Sequence, residues 1–256
     1  MHPILIEFGF MNLKIFTYGL LVASGFFSGI MLSVHLANKD GLDKQRILDL
    51  CFYIAVSALV GGRTLYIIVE YQYFMANPIE VLKFWKGGLV YYGGLIGAVA
   101  MAWYYLNKHK LPVWRVADVL APGVAIGQAV GRWGCFFAGC CYGAPSDVPW
   151  AITFTNPKSL APLNIALHPT QIYLSLNALL IFGILMWLSK RKKFEGQVFW
   201  VFGILYSIGR FIIEFYRDDD RGATVSGMLS TSQFIGIFVL AFSIFMLVRL
   251  SKRKPT

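Results

Sequence analysis

The chain has 256 residues, of which 57% are hydrophobic and 14% charged, and its formal net charge is +10. A soluble domain is nearer half apolar and a quarter charged, so an ordinary water-soluble enzyme is excluded. The basic residues gather in short segments between apolar blocks, which suits topology and lipid headgroups rather than nucleic acid.

The apolar blocks predict seven spans, at about 14–35, 48–70, 88–106, 117–137, 168–188, 197–216 and 230–248. Each is near the ~20 residues an α-helix needs to cross about 30 Å of hydrocarbon. The first block has no basic n-region and no small-residue cleavage site, so it is expected to stay as a span. The short alternating segments of a transmembrane barrel are missing from the pattern. The third span is the shortest, and Gly87, Gly88, Gly93 and Gly94 blur its start. In the fourth, Gly123, Gly127 and Gly131 repeat at i, i+4 and i+8. With Gly25 and Gly29 in the first, they predict close helix packing.

The connecting segments set the orientation. Residues 36–47, 107–116 and 189–196, with Arg249, Lys252, Arg253 and Lys254 of the tail, carry 14 of the 23 lysines and arginines. The alternate segments carry Lys83, Lys86, Lys158, Arg217 and Arg221. The positive-inside rule makes the first set cytoplasmic, the N-terminus external and the C-terminus internal. The expected fold is an all-α integral membrane protein, one polytopic domain of seven transmembrane helices. The longer outer loops, 71–87 and 138–167, form a small external cap with prolines and aromatics.

Three arginines fall inside spans. At about 1.5 Å per residue, Arg63 and Arg132 lie roughly 23 Å and Arg210 roughly 20 Å from the inner ends of their helices. All three therefore converge on the outer third of the bilayer, where an unpartnered arginine costs a few kcal/mol or more. A planar guanidinium suits phosphate, so an anion site at outer-headgroup depth is expected, with a phospholipid phosphate as its anion. In the sixth span Tyr206, Arg210 and Glu214 follow at i, i+4 and i+8, and Arg217 comes three after Glu214, which stacks them along one helix face. The fifth span opens His168-Pro169-Thr170-Gln171-Ile172-Tyr173, with Pro169 suited to a first helical turn. His168, Gln171 and Tyr173 then share the level of the arginines. Cys135, Cys140 and Cys141 follow Arg132 closely. They read first as packing or free thiols, next as a disulfide, and last as a metal site, because CxxxxCC is a weak metal pattern. No metal and no cofactor is expected. Cys51 is expected in the core of the second span.

These segments resemble the prolipoprotein diacylglyceryl transferases of bacterial inner membranes. The matching pieces are Tyr18-Gly19-Leu20, Gly61-Gly62-Arg63, Gly93-Gly94-Leu95-Ile96-Gly97, Gly131-Arg132-Trp133-Gly134, His168-Pro169-Thr170-Gln171-Ile172-Tyr173 and Gly209-Arg210-Phe211-Ile212-Ile213-Glu214-Phe215-Tyr216-Arg217. They keep the family's order over nearly the whole chain. The resemblance implies a seven-span fold and a reaction. The diacylglyceryl group of phosphatidylglycerol passes to the lipobox cysteine thiol of a prolipoprotein, a thioether forms, and glycerol phosphate leaves. It implies catalytic roles for Arg132 and Arg210; because the family's histidine is missing at Tyr92, deprotonation of the thiol is left to Tyr92, to His168 or to water. Tyr18, Arg63, Gln171, Tyr206, Glu214 and Arg217 are expected to bind substrate.

The sequence also departs from the family. Tyr92 stands where a histidine precedes GGLIG, Cys135 and Cys140 stand for an asparagine and a glutamate, and Leu174 replaces an acidic residue. Two further readings follow: a paralogue with the same donor and another acceptor, or a non-catalytic lipid-binding or transport protein. A transporter calls for polar residues near the midplane or on both sides. The partners expected are phosphatidylglycerol, prolipoproteins and membrane lipids, with no nucleic acid and a monomeric state. The location expected is the bacterial inner membrane, with the active site toward the outer leaflet.

Overall fold

The computed structural model describes residues 3–8, 13–83, 87–218 and 229–252. Lys86, Arg221, Arg253 and Lys254, counted above in the charge distribution, lie outside the described residues. The elements in order are β1 (Ile4–Phe8), β2 (Leu13–Phe16), α1 (Thr17–Lys39), α2 (Lys44–Val69), α3 (Tyr71–Ala76), a 3-10 turn (Pro78–Leu82), α4 (Tyr91–Lys108), α5 (Val113–Ala138), β3 (Ile152–Thr153), β4 (Ala166–Leu167), α6 (Thr170–Ser189), α7 (Gln197–Glu214) and α8 (Thr231–Ser251).

Among the described residues six helices, α1, α2, α5, α6, α7 and α8, are long and apolar enough to cross a membrane. The expected third span corresponds to α4, which has 18 residues and is not among the six. Its tyrosines, its glycines and the closing Asn107-Lys108 dilute its hydropathy. The all-α expectation also needs a small amendment. β1 and β2 form one antiparallel pair, and β3 and β4 another of two residues each.

The chain divides into two compact units, 1–36 with 117–256, and 37–116. Hydrocarbon gives helices no hydrophobic reason to associate, so contact rests on close backbone approach at small residues. In the first unit a Cβ on Gly25 would stand 2.6 Å from the carbonyl oxygen of Gly127, and one on Gly29 would stand 2.6 Å from that of Gly123. The glycine spacing is therefore the seam between α1 and α5. In the second unit α2 and α4 meet in the same manner, with Gly61 against Gly93 and Gly97 against the carbonyl of Ser57.

Asp118 joins α5 to α7. It is 2% exposed, and its carboxylate accepts the backbone N–H groups of Gly196 at 2.9 Å and Phe199 at 3.0 Å, with Lys192 Nζ at 3.8 Å. The residue preceding α7, Gly196, lies at φ +89 and has no side chain to cap with. Asp118 supplies from another helix the acceptor that the first turn of α7 lacks. Asp118 is not among the residues that the sequence pattern singles out. Asp118→Ala should destabilise the protein by about 1–2 kcal/mol, as loss of a good helix cap does. Thermal unfolding in detergent reads this, and an unchanged midpoint would remove Asp118 from the cap.

Residues 139–169 fold over a core of their own, with Phe154, Ala161 and Leu167 buried and Tyr142 and Ile152 against them. Gly143 N–H closes the segment on itself by donating to His168 O at 3.0 Å, and Ala144 N–H ties it to the chain just past α7 by donating to Tyr216 O at 3.0 Å.

Candidate functional site

The site begins with how α5 ends. Gly139 lies at φ +78, a left-handed conformation that ends helices and that glycine adopts without a Cβ penalty. Gly139 N–H donates to Phe136 O at 3.2 Å and Cys140 N–H to Cys135 O at 3.1 Å. This pair of bonds is a Schellman motif, which turns the chain back and places the residue after the glycine over the last helical turn. Cys140 is thereby brought against Cys135. Cys141 follows at φ +62, left-handed although it carries a side chain. Such a conformation persists only where its surroundings hold it.

The HPTQ segment does the holding. Thr170 is fully buried, and its hydroxyl donates to Cys141 O at 2.7 Å. Gln171 is 1% exposed, and its amide donates to Cys140 O at 2.8 Å. The segment read as ligand-facing thus grips the cysteine loop by two successive carbonyls. The outcome is that the sulfurs of Cys135, Cys140 and Cys141 all lie within 4.8 Å of one another. All four cysteines, Cys51 included, stand as thiols without a disulfide.

Arg132, two turns earlier near the C-terminal end of α5, reaches Cys141 Sγ with Nη1 at 3.9 Å. It pairs with no carboxylate among the described residues. Arg217 approaches the same sulfur from the chain following α7. The Cys141 thiol is pushed below its usual range, first by hydrogen bonds from the Cys135 and Cys140 thiols and then by the Arg217 cation. Tyr18, in the first turn of α1, packs its ring and carbonyl on Gly134 and shares the electrostatic surroundings of Arg132 and the three cysteines.

The stripe on α7 is a buried ion triad. Arg210 Nη1 contacts Glu214 Oε2, and Arg217 Nε stands 3.9 Å from the same oxygen. The side chains of Arg210, Glu214 and Arg217 are 10%, 7% and 3% exposed. Ser230, the N-cap of α8, donates to Glu214 Oε1 at 2.9 Å, and Arg210 Nη2 donates to Ser232 Oγ at 3.3 Å. The capping-box spacing Ser230-x-x-Gln233 is visible in the sequence; the reach of these serines to the triad is not. Tyr206 instead packs on Phe202 at 5.8 Å between ring centroids, against the apolar cluster around Ile181, Leu185 and Val198.

His168 Nδ1 stands 3.1 Å from Tyr173 Oη, which accepts the indole N–H of Trp150 at 2.7 Å. Its ring lies 5.2 Å from that of Tyr216. Trp150 was not among the residues singled out from sequence. In the other unit, Tyr92 is 48% exposed in the first turn of α4. Arg63 there is engaged by backbone. It donates to the carbonyls of Glu80, Val81, Lys83, Gly87 and Gly88 and lies over the rings of Tyr66 and Phe74 at 5.6 and 5.3 Å.

Residues 3–249 match the sequence profile of the family described as prolipoprotein diacylglyceryl transferase. A Clostridium tetani protein named phosphatidylglycerol–prolipoprotein diacylglyceryl transferase is 40% identical over 245 residues, 96% of each chain. A Clostridium perfringens protein named phosphatidylglycerol–prolipoprotein diacylglyceryl transferase 2 is 37% identical over 247 residues, 96% of this chain and 95% of its own. A Thermosynechococcus vestitus relative carrying the first of these names is 35% identical over 249 residues, 96% of this chain and 91% of its own.

Proposed function

The chain belongs to the prolipoprotein diacylglyceryl transferase family, and from that premise we propose that it transfers the diacylglyceryl group of phosphatidylglycerol to the lipobox cysteine thiol of prolipoproteins. The observation that carries the site is Arg132. Of the three intramembrane arginines, Arg63 is engaged by carbonyls and Arg210 by Glu214, whereas among the described residues Arg132 has a sulfur at 3.9 Å and no carboxylate. An arginine left so in hydrocarbon costs about 2.5–3.5 kcal/mol even on the most lenient scale, and an anionic ligand offsets that. The lipid phosphate is that ligand.

The chemistry follows from the charge. The thiol sulfur attacks the glycerol carbon that carries the phosphate ester. The new C–S bond forms as the C–O bond breaks, and glycerol phosphate leaves with the electron pair. Negative charge grows on the leaving oxygen, where the fork of Arg132 stabilises it. Arg210, Glu214 and Arg217 form the frame that brings a second cation to the same place, and Tyr18 borders it. A free thiol near pKa 8.5 is only partly ionised at neutral pH. His168, whose Nδ1 stands 3.1 Å from Tyr173 Oη, is the candidate to take the departing proton. Gln171 acts by fixing the loop rather than by touching lipid. Complementation tests this reading: expression should restore growth to a bacterium depleted of its own diacylglyceryl transferase, and failure with normal membrane insertion would reject it.

The orientation belongs to the same proposal. Seven spans with α4 as the third, an external N-terminus, a cytoplasmic C-terminus and an external segment 139–169 place the site at the outer leaflet of the inner membrane, in a monomer. The positive-inside distribution supports this. A phosphatase reporter after Lys193 should be inactive and one within 145–160 active; the reverse pattern would invert the assignment.

A further inference from the structure

The three cysteines near Arg132 remain unexplained by lipid binding. A packing role needs neither three sulfurs at one point nor a side-chain-bearing residue held left-handed. Yet Gly139 turns the chain, Cys141 takes φ +62, and buried Thr170 and Gln171 fix the two carbonyls that set the loop. The result is sulfurs from both sides of a helix end, mutually within 4.8 Å. A tetrahedral zinc ion with Zn–S near 2.3 Å spaces its sulfurs by about 3.8 Å, within a small rotamer adjustment of that arrangement. No fourth cysteine, histidine, aspartate or glutamate joins the group among the described residues. Three protein ligands and an open fourth position is the arrangement of a zinc site that works on a substrate, whereas a structural zinc is closed by four.

We propose that Cys135, Cys140 and Cys141 form a three-thiolate site for a soft divalent cation, zinc, whose fourth position takes the acceptor thiol of the transfer reaction. This rests on the transferase reading given above. The charges agree with it. Three thiolates and one zinc carry a net −1, and Arg132, with Arg217, faces the Cys141 sulfur from outside the trio. Donors of this kind to a metal-bound sulfur steady the ligand and its charge. On binding, the acceptor S–H bond breaks, the proton passes by way of His168 to solvent, and a zinc–sulfur bond forms. The sulfur pair then makes the C–S bond to the glycerol carbon while the phosphate ester departs toward Arg132. Zinc does not change oxidation state.

The test uses the full-length protein in metal-free detergent buffer, with Co2+ as the probe and Zn2+ as its competitor. One equivalent of Co2+ should bind, with intense sulfur-to-cobalt absorption that Zn2+ abolishes. Cys135→Ser, Cys140→Ser and Cys141→Ser should each weaken binding by more than about tenfold, the scale at which even supporting residues of a metal site act, and Cys51→Ser should not. A lipobox peptide should alter the cobalt spectrum and its Cys→Ser counterpart should leave it alone. Should a serine variant fail to fold, the native protein answers: Zn2+ should shield three of its four cysteines from a maleimide. Folded protein that binds no stoichiometric Co2+, or binds it equally in all three variants, overturns the proposal, as does equal labelling with and without Zn2+. Full transfer by the chelated protein overturns the zinc role and leaves the transferase reading intact. Metal binding without any transfer would instead reject the transferase reading, and with it the acceptor role, while leaving the ion site in place.

Discussion

Arg132→Lys should lower transfer by about 10²-fold or more while the protein inserts and folds normally. Removing one preorganised donor from a developing oxyanion costs about 10²–10³ in rate. Lysine keeps the charge but presents a point cation in place of two parallel N–H groups, so it keeps part of the attraction and loses the bidentate hold. The structure makes this position the sensitive one. Among the described residues Arg132 has a thiol at 3.9 Å and no carboxylate partner, which suits its donors to an anionic ligand. The same change at Arg63 replaces a guanidinium bound to the carbonyls of Glu80, Val81, Lys83, Gly87 and Gly88 and reports on the hold on those residues instead. Steady-state transfer with phosphatidylglycerol distinguishes the two. Full activity of Arg132→Lys would mean that this arginine only snorkels.

Glu214→Gln should be the most destabilising single change in the C-terminal half of α7. It keeps the shape of the side chain and removes the one negative charge shared by Arg210 and Arg217. Two cations that are nearly sealed from water then lose the carboxylate they share. Breaking a buried pair in this way costs about 3–5 kcal/mol. Replacing Arg210 together with Glu214 by glutamines removes one of those cations and should recover part of the loss, a non-additivity expected of groups in one network. Thermal unfolding of the three variants in detergent measures it. A Glu214→Gln midpoint equal to that of the native protein would show that the triad is not a unit.

The sequence carried the long-range plan because that plan is written in short-range periods. Spans follow from runs of apolar residues, and the α1–α5 seam from glycines four apart. The Arg210–Glu214–Arg217 triad was legible for the same reason, since its members are turns of one helix. What was not legible depends on partners far along the chain. The carbonyls around Arg63 come from a turn 17 to 25 residues away. Asp118 caps a helix that begins about 80 residues later. Gln171 and Thr170 look like ligand-binding groups until their acceptors, the Cys140 and Cys141 carbonyls, are known. The convergence of Cys135 and Cys140 had one local sign, a glycine directly after the last apolar turn of α5. Strands of two residues have no period to read. The departures at Cys135 and Cys140 are where local pattern and family pattern part, and there the loop, not the motif, decides what the side chains meet.

Transfer with defined components tests the central claim most directly. The purified protein, in vesicles of phosphatidylglycerol, is given a lipobox peptide, and the peptide mass is followed. The account predicts the gain of one diacylglyceryl group on the cysteine sulfur, release of glycerol phosphate in equal amount, and no reaction with the Cys→Ser peptide. An unmodified peptide in the presence of a protein that still binds phosphatidylglycerol through Arg132 would contradict it.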